Sequence, residues 1–233
     1  MTADDQPALP LPDAQNWLSQ PRLNVYLTHS GNGLQAALEL YLWNSTLAAA
    51  AMSDACHLEV ALRNSYDLHL ADAFPNWAVD PSGALFSRTQ GVPQAAAKQV
   101  QLNAGSLKAI ADASRGLSDH ATHGQVLAGL SFGFWTKLTE KDRTPTFWTP
   151  ILRHSFPPGT ARADVHDLVV KINRFRNRLA HNEPVFSTRT GLRNRLTDVD
   201  ALFTLLNPAA AQFIRLRSTV PGIVAQCPVA GLV

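Results

Sequence analysis

Apolar residues recur along this chain at spacings of three and four, and that pattern predicts helices almost throughout. Leu34, Leu38, Tyr41, Leu42, Leu47 and Met52 mark one buried face, and Leu58, Val60, Leu62, Leu68 and Leu70 continue the signal up to Pro75. The run is long for one helix, and Asp54, a good N-cap, suggests a break near Ser53-Asp54. Asp13 starts a short helix to Leu18, and Pro21 fits the first turn of the next. Residues 75–92 read as a Pro/Gly/Ser loop anchored by Trp77 and Phe86. A short helix follows from Pro93 to Asn103, then an irregular stretch to about Thr122.

Gly124 to Leu138 is apolar nearly all round and reads as one central buried helix, with Gly129 and Gly133 allowing a neighbour to approach closely. Thr144 to Pro158 reads as a loop. Leu168, Ile172, Phe175 and Leu179, at spacings of four, three and four, define an amphipathic helix from Ala163 to His181, which Pro184 terminates. Helices from Thr190 to Asn207 and from Ala209 to Arg217 precede an apolar, uncharged tail. No alternating strand pattern appears. The expectation is an all-α, irregular helical bundle: a disordered tail over 1–12, then a single domain over 13–233 with a C-terminal helical extension.

Composition changes this picture little. The 233 residues hold 45 % hydrophobic side chains, enough for a core. The N-terminus lacks the charged and apolar blocks of a signal peptide, and no apolar run is long enough to span a bilayer, which together predict a cytoplasmic chain with no membrane partner. Cys56 and Cys227 stand alone and offer neither a disulfide framework nor a metal spacing.

Charge changes the picture more. The formal net charge of +2 is unevenly spread. Residues 1–100 carry four Lys/Arg against nine Asp/Glu, residues 101–170 seven against six, and residues 171–233 nine against three. The basic segment opens with Lys171-Ile172-Asn173-Arg174-Phe175-Arg176-Asn177-Arg178-Leu179-Ala180-His181, the footprint a polyanion partner requires; a solvated helix face is the plainer alternative. Asn177 and His181 sit one turn apart, nearly opposite the apolar stripe, with Arg176 about 140° round from His181 at about 100° per residue. One straight helix does not aim Arg176 and His181 at one point; two copies packed about a two-fold axis would. The Arg-to-His spacing is not distinctive by itself, since Arg22/His29, Arg63/His69 and Arg115/His120 fit it equally. The Asn directly after Arg176, the helical frame and the local basicity single out the last pair. Glu59 and Arg63 form either a helical i,i+4 ion pair or, with Asn64, part of a site lining.

Three segments resemble the Abi-like family of abortive-infection proteins, within the HEPN superfamily of helical ribonucleases. They are Leu58-Glu59-Val60-Ala61-Leu62-Arg63-Asn64, then His123-Gly124-Gln125-Val126 through Phe132-Gly133-Phe134-Trp135, then Arg174 through Pro184. The last matches the superfamily's signature of Arg, four to six residues, then His. The resemblance implies an endoribonuclease of phage defence or of toxin type that works as a homodimer, without metal or other cofactor. By position, His181 is the acid/base, Arg176 the phosphate binder and Asn177 the polar orienter. Lys171, Arg174 and Arg178 hold the RNA backbone, and Glu59, Arg63, Asn64 and Glu183 form a surrounding shell. It also implies RNA as substrate and a structured non-coding RNA as a candidate regulatory partner. Glu183 stands where some HEPN toxins carry a modifiable Tyr, so control by modification there is not expected. The alternative is a non-catalytic protein whose basic helix grips structured RNA.

Overall fold

Helices succeed one another along the chain in the order α1 (Leu11–Leu18), α2 (Gln20–His29), α3 (Leu34–Ala73), α4 (Pro93–Ser114), α5 (His123–Gly129), α6 (Phe132–Leu138), α7 (Arg162–Ala180), α8 (Leu192–Leu206), α9 (Pro208–Arg215) and α10 (Val220–Ala225). These come from a computed structural model that describes residues 9–118, 120–186 and 191–233. The class is all-α, with no strand among the described residues. No described helix is long and apolar enough to cross a membrane. The expected N-terminal tail ends early, because α1 already begins at Leu11; residues 1–8 lie outside the described residues.

The described residues form two compact units, one from 1–54, 175–197 and 216–233, the other from 55–174 and 198–215. The first is built on α1, α2 and the start of α3. Leu18, Leu23, Tyr26, Leu40, Tyr41 and Leu47 are buried there, with Val185 and Phe186. Tyr26 packs edge-on against Tyr41 with ring centroids 5.3 Å apart and tilts against Phe186 at 5.6 Å. Trp43 donates its indole N–H to the Ile223 carbonyl at 2.7 Å, which seats α10.

The second unit has an aromatic centre. Trp77 lies parallel to Phe134 at 6.0 Å, Phe86 stacks on Phe147 at 5.4 Å, and Trp135 is fully buried. The expected anchors Trp77 and Phe86 are buried. Asp67 accepts from Trp77 Nε1 at 2.7 Å and pairs with His123 Nε2 at 2.8 Å, so a half-buried carboxylate ties α3 to the start of α5.

Several expectations are corrected. The long segment does not break at Ser53-Asp54: α3 runs 40 residues without interruption. Asp54 accepts a hydrogen bond from Ser218 Oγ at 2.6 Å instead of capping a new helix, and the alanine-rich turns before it favour continuation. The buried row of α3 is Ala37, Tyr41, Asn44, Ala48, Ala51, Ala55, Leu58, Leu62, Tyr66 and Leu70. It keeps a spacing of four and three, so Leu42 and Leu68, which were expected inside, fall off it and are exposed.

Helix α4 runs on to Ser114 where irregular chain was expected. Its inner face is polar, which hides the periodicity: Gln99 exchanges two hydrogen bonds with the Gln90 backbone, and Asn103 donates to the Arg88 carbonyl. Ser106 accepts from the fully buried Arg143 at 2.8 Å, whose guanidinium lies 5.0 Å from the Phe147 ring centroid. Burial lowers the Arg143 pKa to about 10.

The single central helix expected over Gly124–Leu138 is two. Leu130 and Ser131 are extended, with ψ of 130° and 159°, and a capping box of Thr122 and Gln125 starts the first. The first helix buries Val126 and Leu127, and the second buries Phe132, Phe134, Trp135 and Leu138. Gly129 is needed for close approach, because a Cβ there would meet Ala113 Cβ and O at 3.2 Å. A Cβ on Gly133 would meet nothing nearer than 3.6 Å. The stretch expected as a loop from Thr144 contains a π-turn over Thr144–Trp148 and a 3-10 turn over Leu152–Ser155.

Candidate active site

The site is assembled on the last two turns of α7. The helix buries Val165, Val169, Ile172, Phe175 and Leu179; Leu168, expected in that row, is half-buried. With this stripe turned inward, Arg174, Asn177 and His181 are exposed. They are three and four residues apart and so form one row, within about 60° of each other at about 100° per residue. The His181 N–H donates to the Asn177 carbonyl at 3.1 Å. Neither the His181 imidazole nor the Asn177 amide meets a hydrogen-bond partner among the described residues, so both side chains are presented outward.

Arg176 is different. It is half-buried, takes part in an interaction within the chain, and lies about 140° round the helix from His181. On one helix the cation aligned with Asn177 and His181 is therefore Arg174. Lys171 is exposed one turn earlier. Arg178 is engaged at home: its Nη2 donates to the Pro184 carbonyl at 2.5 Å, and its Nε lies 3.2 Å from Glu183 Oε2.

The helix end is held unusually firmly. Glu183 N–H reaches back to the Arg178 carbonyl and Asn182 N–H to the Leu179 carbonyl, both at 3.0 Å, while Asn182 takes a left-handed φ of 48°. This is a Schellman end with Asn in the usual glycine place and His181 as the C-cap. The Asn182 side chain is held as well. Its Nδ2 donates to Ser45 Oγ at 2.8 Å and to Tyr41 Oη at 3.2 Å. Beside it, the fully buried Asn44 accepts from the Val185 N–H at 3.0 Å, donates to the Glu183 carbonyl at 3.2 Å, and lies 3.5 Å from Asn182 Oδ1. Arg22 Nη2 donates to the His181 carbonyl at 3.3 Å. Asn44 thus satisfies two backbone groups just past the helix end, the Asn182 side chain ties that end to Tyr41 and Ser45 of α3, and together they hold the backbone next to His181.

Sequence reasoning missed this pair, although signals existed. Asn44 is a polar residue on the buried row of α3, and Asn182 is a residue tolerant of left-handed backbone directly before a helix-ending Glu-Pro. Glu59, Arg63 and Asn64 lie on α3 in the second unit, Glu59 and Arg63 half-buried and Asn64 exposed; Arg176, Asn177 and His181 belong to the first. Among the described residues no three His, Cys, Asp or Glu side chains gather as a metal site requires. Compared with known protein families, curated proteins and solved structures, the chain matches none.

Proposed function

We propose that the chain is a HEPN-type endoribonuclease of phage defence or of a toxin–antitoxin pair. It acts as a homodimer on RNA in the cytoplasm and leaves 2′,3′-cyclic phosphate and 5′-OH ends. The observation that supports this reading best is the exposed row Arg174–Asn177–His181 on a helix end whose backbone is fixed. An imidazole can accept a proton at one step and donate one at the next, which suits both proton transfers of RNA cleavage. The 2′-OH loses its proton to a base as its oxygen attacks the adjacent phosphorus; the P–O5′ bond breaks, and the leaving oxygen takes a proton from an acid. The crowded phosphorane gains negative charge, which a guanidinium fork neutralises. Arg174 supplies that charge from the same helix, and Arg176 supplies it from the second copy across the two-fold axis. Asn177 orients the phosphate.

The test is purified wild type beside His181→Ala, incubated with total RNA and with a tRNA pool in EDTA, with product ends analysed. The expected outcome is cleavage to cyclic phosphate ends that falls by about 10²–10⁴-fold in the variant, the usual worth of a general acid or base. Cleavage that survives His181→Ala refutes the assignment. A wild type that binds RNA without cutting it, and loses binding when Arg174 and Lys171 are neutralised, establishes the non-catalytic alternative.

A further inference from the structure

A second concave site lies in the 55–174 unit. A cavity of about 690 Å³ is lined by Trp148, Arg153, His154, Phe156 and the Pro157-Pro158-Gly159-Thr160 turn. That volume falls within the range of small-molecule sites. A smaller cavity, about 510 Å³, is lined by Leu68, His69, Ala71 and Asp72. His154 of the larger lining and His69 of the smaller have ring centroids 6.0 Å apart.

The walls are built rather than merely adjacent. Leu152 and Ser155 are buried and seat the 3-10 turn, which leaves Arg153 and His154 exposed between them. Ser155 Oγ donates to the Ser65 carbonyl at 3.1 Å, which fixes that turn against α3 one helical turn before His69. The lining also includes a type II turn: Thr160 N–H reaches the Pro157 carbonyl at 3.1 Å, with Pro158 leading and Gly159 at φ 86°. Thr160 Oγ1 closes on the same carbonyl at 2.7 Å. The lining includes the stacked pair Trp148–Phe156, with centroids 5.5 Å apart and planes 28° apart; both rings are largely buried and offer the cavity only their margins.

The lining combines two chemistries. Its aromatic and proline residues suit a planar ring. The larger lining also holds one guanidinium and one imidazole, Arg153 and His154, and His69 of the smaller lining adds a second imidazole nearby. Arg153 forms no ion pair among the described residues, and the larger cavity's lining contains no carboxylate; Asp72 lies in the smaller lining, beside His69. We propose that this cavity binds an aromatic phosphate, with the ring against the margins of Trp148 and Phe156 and the phosphoryl group held by Arg153 and His154, with His69 nearby. Such a ligand is either a free nucleotide or one nucleotide of an RNA strand. Binding here does not require the chain to cleave RNA.

Calorimetric titration of the full chain tests it, using phenyl phosphate, 5′-AMP and octaadenylate, with phenol and inorganic phosphate as half-ligands. Phenyl phosphate should bind at least tenfold more tightly than either half-ligand. Arg153→Ala/His154→Ala should weaken it at least tenfold without changing the far-ultraviolet spectrum or melting temperature, since both side chains are exposed. Octaadenylate outcompeting 5′-AMP, with the same loss in the double variant, identifies a strand-binding site; equal affinity identifies a free nucleotide site. No saturable binding of any probe overturns the proposal, and so does a double variant that binds all of them as well as wild type.

Discussion

Replacing Asn182 tests whether the end of α7 is held as described. Asn182→Ala removes two donated hydrogen bonds, to Ser45 Oγ at 2.8 Å and Tyr41 Oη at 3.2 Å, each worth about 1 kcal/mol net. It also places a Cβ-bearing residue without a compensating polar group at φ 48°, which costs a further 1 kcal/mol or so in the left-handed region. The expected loss is about 3 kcal/mol by these terms. Asn182→Gly removes the same bonds but relieves the backbone, so its loss should be nearer 2 kcal/mol. Urea unfolding followed by circular dichroism measures both, and the informative quantity is the difference between them. Equal losses in the two variants would refute the backbone term. Losses under about 0.5 kcal/mol in both would refute the hydrogen-bond term, since that is the scale of an ordinary surface substitution.

Other substitutions probe neighbouring claims. Asn44→Ala removes the buried amide that accepts from the Val185 N–H and donates to the Glu183 carbonyl and should cost about 2–4 kcal/mol; combined with Asn182→Ala the losses should fall short of additive, as a double-mutant cycle will show. Gly129→Ala pushes a methyl group against Ala113 and should destabilise by about 1–3 kcal/mol in chemical unfolding. Gly133→Ala meets only ordinary contacts and should be neutral or raise stability by up to about 1 kcal/mol through helix propensity. Glu183→Gln breaks an exposed ion pair and should shift stability by under about 1 kcal/mol. Arg178→Ala should cost more, because its bond to the Pro184 carbonyl goes too.

Much of the helical layout could be read directly. The stripe Ile172, Phe175 and Leu179 placed α7, and Pro184 placed its end, because apolar spacing and a missing N–H report on local geometry. What escaped was set by partners distant in sequence. The inner face of α4 is polar because Gln99 and Asn103 bind the backbone of residues 88–90, and no periodicity records a bond to a loop. Leu42 and Leu68 look like core residues by type, yet the row that packs runs beside them, through Asn44 and alanines of little hydrophobic weight near Leu42 and through Leu62, Tyr66 and Leu70 near Leu68. Asp54 looked like a cap because its bond to Ser218 joins positions far apart in the chain. At the site, Asn177 and His181 share a face by helical arithmetic alone, whereas the clamp of Asn44 on residues 182–185 depends on folding the chain back over α3.

The same clamp changes how natural variation around His181 should be interpreted. Asn44 is tied to the backbone of residues 183 and 185, Asn182 to the side chains of Tyr41 and Ser45, and the two to each other, so in any set of homologues they would be retained, or exchanged together, simply to keep the fold. Invariance there would carry no news about chemistry. Asn177 and His181 face solvent with no hydrogen-bond partner for their side chains among the described residues, and folding alone leaves them free to drift. If those two positions stay fixed across divergent homologues, selection for what the surface does is the force that holds them.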